Sequence, residues 1–200
     1  MYTFDAKETK NKIVEWIKMF FEQNGKDCIA TVGLSGGKDS SIVAALCVEA
    51  LGKNRVLGVL MPDGEQTDIE DAYEVAKHLG IEYCTVDIHP AILALKHEIR
   101  PQIGDHWSKQ TSINLPPRIR MATLYAISQS MNGRVANTCN LSETLLSWET
   151  RWGDAVGDFA PLKDFTVQEV KAIIDARVEK YRFKRRPIPY FESGLKSYLD

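Results

Sequence analysis

The segment Ser35-Gly36-Gly37-Lys38-Asp39-Ser40 combines residue types suited to holding an anion and a cation together. Gly36 and Gly37 can adopt positive φ and let backbone N–H groups approach a phosphate. Ser35 and Ser40 add hydroxyl donors. Asp39 places a carboxylate inside that cradle, where it repels a phosphate unless a cation lies between them. Magnesium, which prefers carboxylate, phosphate and water oxygens, is the expected cation. Lys38 occupies the least constrained position and is expected to face solvent. The string lacks the G-K-[ST] ending of the common phosphate loop. The simplest alternative is a Gly-Gly turn with nothing bound, but the whole string behind an apolar strand is far more specific than a glycine pair.

The flanking pattern places this loop. "CIATVGL" (28–34) is a short apolar run with β-branched residues, which predicts a buried strand. "SIVAALCVEALG" then reads as a helix stopped by Gly52. Ligands of open parallel sheets bind outside the carboxyl ends of the strands, where Gly33, Leu34 and residues 35–40 would lie. The following helix points the positive end of its dipole at the same spot.

The rest of the chain repeats the alternation. Ile13, Trp16, Ile17, Phe20 and Phe21 recur at helical spacing, predicting a first helix that ends near Asn24-Gly25. Strands are predicted at 55–62, 81–88 and 134–139, with a helix over "DIEDAYEVAKHLG". Another helix is opened by Pro117 and stopped by Asn132-Gly133. Thr166 and Glu169 form a capping-box pattern before "VQEVKAI". Such alternation indicates an α/β fold: a doubly wound, Rossmann-like parallel sheet with flanking helices, in one domain over 1–200.

Composition narrows the class. A hydrophobic share of 44% and a charged share of 26% over 200 residues suit a globular domain with a full core. The net charge of −2 gives no global field for nucleic acid or anionic membrane. The basic run "RFKRRP" reads, on charge alone, as a solvated tail. Cys28, Cys47, Cys84 and Cys139 show no C-x-x-C spacing and lie in apolar stretches, as buried thiols of a reducing compartment would. The charged N-terminal stretch has neither a signal-peptide core nor a spanning segment, so a cytoplasmic protein is expected.

"SGGKDS" at the end of a first strand resembles the pyrophosphatase loop of the adenylating ATP-pyrophosphatases, also called the adenine nucleotide alpha-hydrolase-like group. In that group the loop binds the β- and γ-phosphates of ATP as leaving pyrophosphate. Four further segments resemble, in order, motifs of the ammonia-dependent NAD synthetases: "NLPPRIRMATLYAIS", "NTCNLSE", "TRWGDAVGDFAPL" and "KRRPIP". The resemblance implies ATP-dependent amidation of deamido-NAD to NAD with ammonia, through an acyl-adenylate, releasing pyrophosphate and AMP. It implies that Asp39 and Glu143 share magnesium and that Ser35 and Ser40 join them in the catalytic loop. ATP contacts are implied for Gly33 to Ser40, for Leu60 and Met61 at adenine, for Thr138 and for position 167. Deamido-NAD contacts are implied for Arg118, Tyr125, Arg151, Asp158, Phe183 and Lys184. Read from the residues alone, Glu143 is a helix N-terminal charge, Arg120 a structural ion-pair partner, and Tyr125 either a core or an interface residue.

The sequence departs from the family pattern at several points. Arg151 stands for the usual Lys, Trp152 for Tyr, Asn137 for Gly, Phe183 for His, and Val167 for a Lys that contacts ATP. A long segment that closes over ATP is missing between Ile173 and Ile174, either lacking or left out of the residues shown; the matching flanks favour the second. The family is homodimeric, so a homodimer is expected, and the ammonia comes free or from a partner. Two rival readings remain: another adenylating amidotransferase or sulfur-transferase of the same group, and a module that binds ATP without turnover.

Overall fold

The computed structural model describes residues 3–178. Four short parallel strands form one sheet: β1 (Ile29–Gly33), β2 (Val56–Leu60), β3 (Glu82–Thr85) and β4 (Gly133–Ala136), in the order β3-β2-β1-β4. The chain moves outward from β1 to β3, then crosses back to place β4 on the other side of β1. That reversal opens a crevice at the carboxyl ends of β1 and β4.

Alternating side chains decide which helices cover which face. Ala30 and Val32 of β1, Val56 and Leu60 of β2 and Ala136 of β4 join one core cluster. Against it pack α1 (Ala6–Asn24), α2 (Lys38–Leu51), α3 (Ile69–Leu79) and α7 (Val167–Val178). Leu57, Val59 and Val135 point the opposite way, onto Leu124 of α5 (Lys109–Ser130). The period-two alternation is thus satisfied on both faces, as a doubly wound sheet requires. Within this core, Phe20, Phe21 and Phe159 form a cluster with ring centroids 5.1 to 5.5 Å apart, which ties α1 to the segment after β4.

Helix ends follow the sequence closely where capping chemistry is explicit. Asp5 caps α1 by accepting from Glu8 N at 2.8 Å, and Gly25 closes it. Gly80 ends α3 in the left-handed conformation. The Thr166–Glu169 capping box forms: Glu169 Oε2 accepts from Thr166 N at 2.8 Å, and Thr166 Oγ1 accepts from Glu169 N at 3.4 Å.

Two expectations need correction. α5 opens at Lys109, well before Pro117, because Ser108 caps it by accepting from Thr111 N at 3.0 Å; Pro116 and Pro117 lie inside the helix. A further helix, α4 (His89–Ile103), fills the stretch before it. Strand four ends at Ala136, so Thr138 stands in the loop beyond the strand. α7 is one continuous helix across Ile173 and Ile174. Among the described residues no helix is long and apolar enough to cross a membrane. Cys28, Cys47 and Cys139 are buried free thiols and Cys84 is half-buried. Burial pushes the Cys47 thiol up to about 12.

Ile17 lies wholly inside the α1 contact with the sheet, whereas Met19 is 57% exposed. Ile17→Ala is expected to cost about 2–5 kcal/mol in urea unfolding. Met19→Ala should stay within about 0.5 kcal/mol of the parent. Equal losses from the two would contradict this account of the core.

Candidate active site

The loop between β1 and α2 is closed by its own serines. Ser35 N donates to Ser40 Oγ at 3.3 Å, Gly37 N donates to Ser35 Oγ at 3.2 Å, and the two hydroxyl oxygens lie 3.2 Å apart. Ser40 and Ser41 hydroxyls donate to Gly37 O at 3.2 and 2.7 Å. Gly36 has φ 76°, and a β-carbon there would come within 2.7 Å of Asp71 Cβ and 2.9 Å of Ala72 N. Only glycine lets the loop lie this close to the first turn of α3. Gly37 caps α2 without a side-chain acceptor, leaving first-turn N–H groups for an outside partner.

The facing wall comes from the chain after β4. Asn137 organises it: its N donates to Phe159 O at 2.8 Å, its Nδ2 to Asp154 O at 2.9 Å, and its Oδ1 accepts from Cys139 N at 2.8 Å. Asn140, fully buried, caps the short helix α6 (Leu141–Leu145) in a reciprocal box with Glu143. Asn140 N donates to Glu143 Oε2 at 3.0 Å, and Asn140 Oδ1 accepts from Glu143 N at 3.2 Å. Asn140 Nδ2 also reaches Asp39 Oδ1 at 3.5 Å, joining the two walls.

Between them is a cleft of about 150 Å³. Ser35, Gly37, Asp39 and Ser40 line one side; Thr138, Cys139, Glu143 and Asp154 line the other. The sequence-predicted Asp39, Glu143, Ser35, Ser40 and Thr138 therefore meet in one place. Glu143's carboxyl is held above the usual carboxylate range, chiefly by burial; the hydrogen bond from Asn140 N opposes this, the Asp39 charge adds to it, and Lys38 counters it. Lys38 does not simply face solvent. It is ion-paired to Asp39, with side chains 24% and 16% exposed.

Other expected contacts lie apart from this cleft. Leu60 is fully buried and its carbonyl accepts from Val86 N at 2.9 Å; Met61 O accepts from Arg120 Nε at 3.0 Å. Arg120 thus holds a carbonyl instead of the expected ion-pair partner. Arg118 Nε donates to Arg151 O at 3.3 Å, and the Arg151 guanidinium lies 5.5 Å from the exposed Trp152 ring. Asp158 accepts from Val135 N at 2.7 Å and from Tyr125 OH at 3.2 Å, so both its oxygens have partners within the fold. Val167 opens α7 with its N–H on Ser142 Oγ at 3.1 Å, one residue from Glu143. Phe183, Lys184 and the basic run lie outside the described residues.

The NAD synthase family model matches residues 9–187. The chain belongs to the NAD synthase family. Among relatives, it is 36% identical over 159 residues to the NH(3)-dependent NAD(+) synthetase of Pyrococcus furiosus, covering 80% of this chain and 60% of that protein. It is 40% identical over 169 residues to the enzyme of the same name from Methanosarcina acetivorans, covering 83% and 65%. Among solved structures, the NH3-dependent NAD synthetase of Campylobacter jejuni superposes with a TM-score of 0.80 at 28% identity, over 98% of this chain and 84% of that one. The chain thus spans about three-fifths of the length of the curated relatives named here.

Within this NAD synthase framework, Asp154 and Asn140 were not singled out from the sequence. Asn140 was findable: Asn followed by Glu at the third position is a capping-box signature. Asp154 lies in the TRWGDAVGDFAPL segment, but its place at the cleft follows from a fold-back that joins residue 154 to Asn137.

The Tyr125–Asp158 bond makes a separate test. Burial first, then the Asp158 charge and hydrogen bond, push the Tyr125 phenol up to about 12. The folded state holds this proton more tightly than the unfolded chain. Its stabilisation is complete below the ordinary phenol range and is lost as pH rises through about 12. Absorbance titration of the parent minus Tyr125→Phe should show one phenol ionising near that upper value; a difference curve centred near 10 would contradict the bond.

Proposed function

We propose that the chain catalyses ATP-dependent amidation of deamido-NAD to NAD with ammonia, through an acyl-adenylate. The observation that carries this reading is the meeting of Asp39, Glu143 and the serine-closed loop in one cleft of an NAD synthase-family chain. The nicotinate carboxylate attacks the α-phosphorus of ATP, the bond to the β-phosphate oxygen breaks, and pyrophosphate leaves. Ammonia then attacks the acyl carbon, giving the amide and AMP, with its surplus proton passing to solvent. A free carboxylate is a poor acyl donor, and adenylation supplies the leaving group.

The residues present fit magnesium. Asp39 and Glu143 offer hard carboxylate oxygens to one cleft, and the Asp39 charge raises the cost of ionising Glu143, which a cation relieves. Among the described residues no group of three or more His, Cys, Asp or Glu side chains forms a metal cage. A two-carboxylate site suits an ion whose other ligands are phosphate oxygens and waters. When bound, magnesium supplies charge neutralisation on the polyphosphate. Ser35 and Ser40 fix the loop, and its N–H groups together with the α2 N-terminus receive the departing pyrophosphate. Thr138 holds the nucleotide from the facing wall. Arg118 and Arg151 present cations beside the exposed Trp152, a surface suited to an anionic dinucleotide.

NAD and AMP should form from ATP, magnesium, ammonium and deamido-NAD. Asp39→Asn should lower that turnover on the order of 10²-fold or more while leaving the circular dichroism unchanged. Bound ATP without NAD or AMP would instead identify a non-catalytic module, and product only with another acceptor a different adenylating enzyme.

A homodimer is the second part of the proposal. α4 buries none of its residues, and Leu95 and Ile99, one turn apart on the same side of it, are 39% and 37% exposed, with Ile113 of α5 at 53%. An apolar helix face of this kind favours a partner surface, here a second copy. Light scattering should give twice the monomer mass, and Leu95→Glu with Ile99→Glu should return the monomer. A monomeric parent would end this part of the proposal.

A further inference from the structure

Lys38 and Asp39 are sequence neighbours on the first turn of α2, positions whose side chains do not ordinarily face each other on a helix. The Lys38 ammonium nevertheless folds across to the Asp39 carboxylate, and both side chains are largely covered. A cation at a helix N-terminus opposes the dipole, so the carboxylates of the cleft must offset that cost. Glu143, on the opposite wall, also feels the Lys38 charge. Lys38 is therefore an internal counter-ion of the cleft. Resting on the function proposed above, we infer that Lys38 is a positioning residue that couples binding of the divalent cation to binding of the polyphosphate.

Lys38 and a divalent cation compete for the Asp39 carboxylate. Lys38 occupies Asp39 Oδ2, so a divalent cation drawn to this carboxylate meets the ammonium beside it and either displaces it from Oδ2 or binds Oδ1 against its charge. In both cases the ammonium is left beside another cation and against the α2 dipole. A polyphosphate in the loop would relieve both, because its anionic oxygens would pair with the Lys38 ammonium and offset the charge of a cation held by Asp39 and Glu143. Either ligand alone meets an unfavourable charge: the metal meets Lys38, and the phosphate meets Asp39 and Glu143. Both together leave every charge paired, which is a coupling free energy between two sites.

Calorimetric titration tests this without turnover, using magnesium alone and magnesium in the presence of an ATP analogue with a methylene bridge between its α- and β-phosphorus. In the parent, the analogue should strengthen magnesium binding markedly. Lys38→Met should bind magnesium alone about fivefold more tightly than the parent and lose a similar factor of the enhancement. Lys38→Arg, which keeps the cation, should retain both parent values. Lys38→Gln gives the same reading as Lys38→Met should the latter fold poorly. Unchanged magnesium affinity and unchanged enhancement in a folded Lys38→Met or Lys38→Gln protein would overturn the inference. That result with intact NAD formation leaves the proposed function standing. Altered coupling with no NAD formation supports the role of Lys38 and removes the proposed reaction.

Discussion

Asp39 and Glu143 are two carboxylates brought to one half-buried cleft, and the rest of the architecture answers the problem of holding them there. Like charges this close repel, and burial adds to the cost; both effects are visible in the raised proton affinity of Glu143. The fold fixes each carboxylate from a different direction. Asp39 is carried by the first turn of α2, which the sheet core and Gly36 press against α3. Glu143 is carried by a helix of five residues, set by a capping box with a fully buried asparagine. The parallel pairing of β1 with β4 is what places these two loops side by side. Without that pairing, residues about a hundred apart in sequence would share no site.

Charge is then managed locally. Lys38 offsets Asp39, the Asn140 backbone N–H offsets Glu143, and Arg120 lies close enough to Asp154 to feel its charge. A site arranged in this way suits a cation and a polyanion that arrive together. The Asp158 carboxylate is different, being held by the β4 backbone and the Tyr125 hydroxyl. Its position depends on strand β4, so it also locks the segment that carries Asp154 and the exposed Arg151–Trp152 pair.

Much of this was legible in the sequence. Apolar β-branched runs, glycine stops and the alternation of strands with helices specified a parallel sheet, and the SGGKDS string placed the loop at its carboxyl edge. What stayed hidden had non-local causes. α5 begins at Lys109 because the Ser108 cap sets its start two turns before the opening that Pro117 suggests. α4 has a mixed pattern with no buried face, so periodicity did not reveal it. Asn137 read as a departure from glycine, yet its side chain ties residues 139, 154 and 159 into one wall, a role set by contacts across the fold. Lys38 read as a solvated side chain because its partner is an adjacent residue, a pairing that helix geometry disfavours.

The central claim is that this loop is built to receive pyrophosphate as a leaving group. Phosphorus NMR of the products from ATP, magnesium, ammonium and deamido-NAD tests it most directly. The account predicts resonances of AMP and pyrophosphate appearing in equal amounts with NAD. Resonances of ADP and orthophosphate instead would contradict it, because they would mean cleavage at the γ-phosphate.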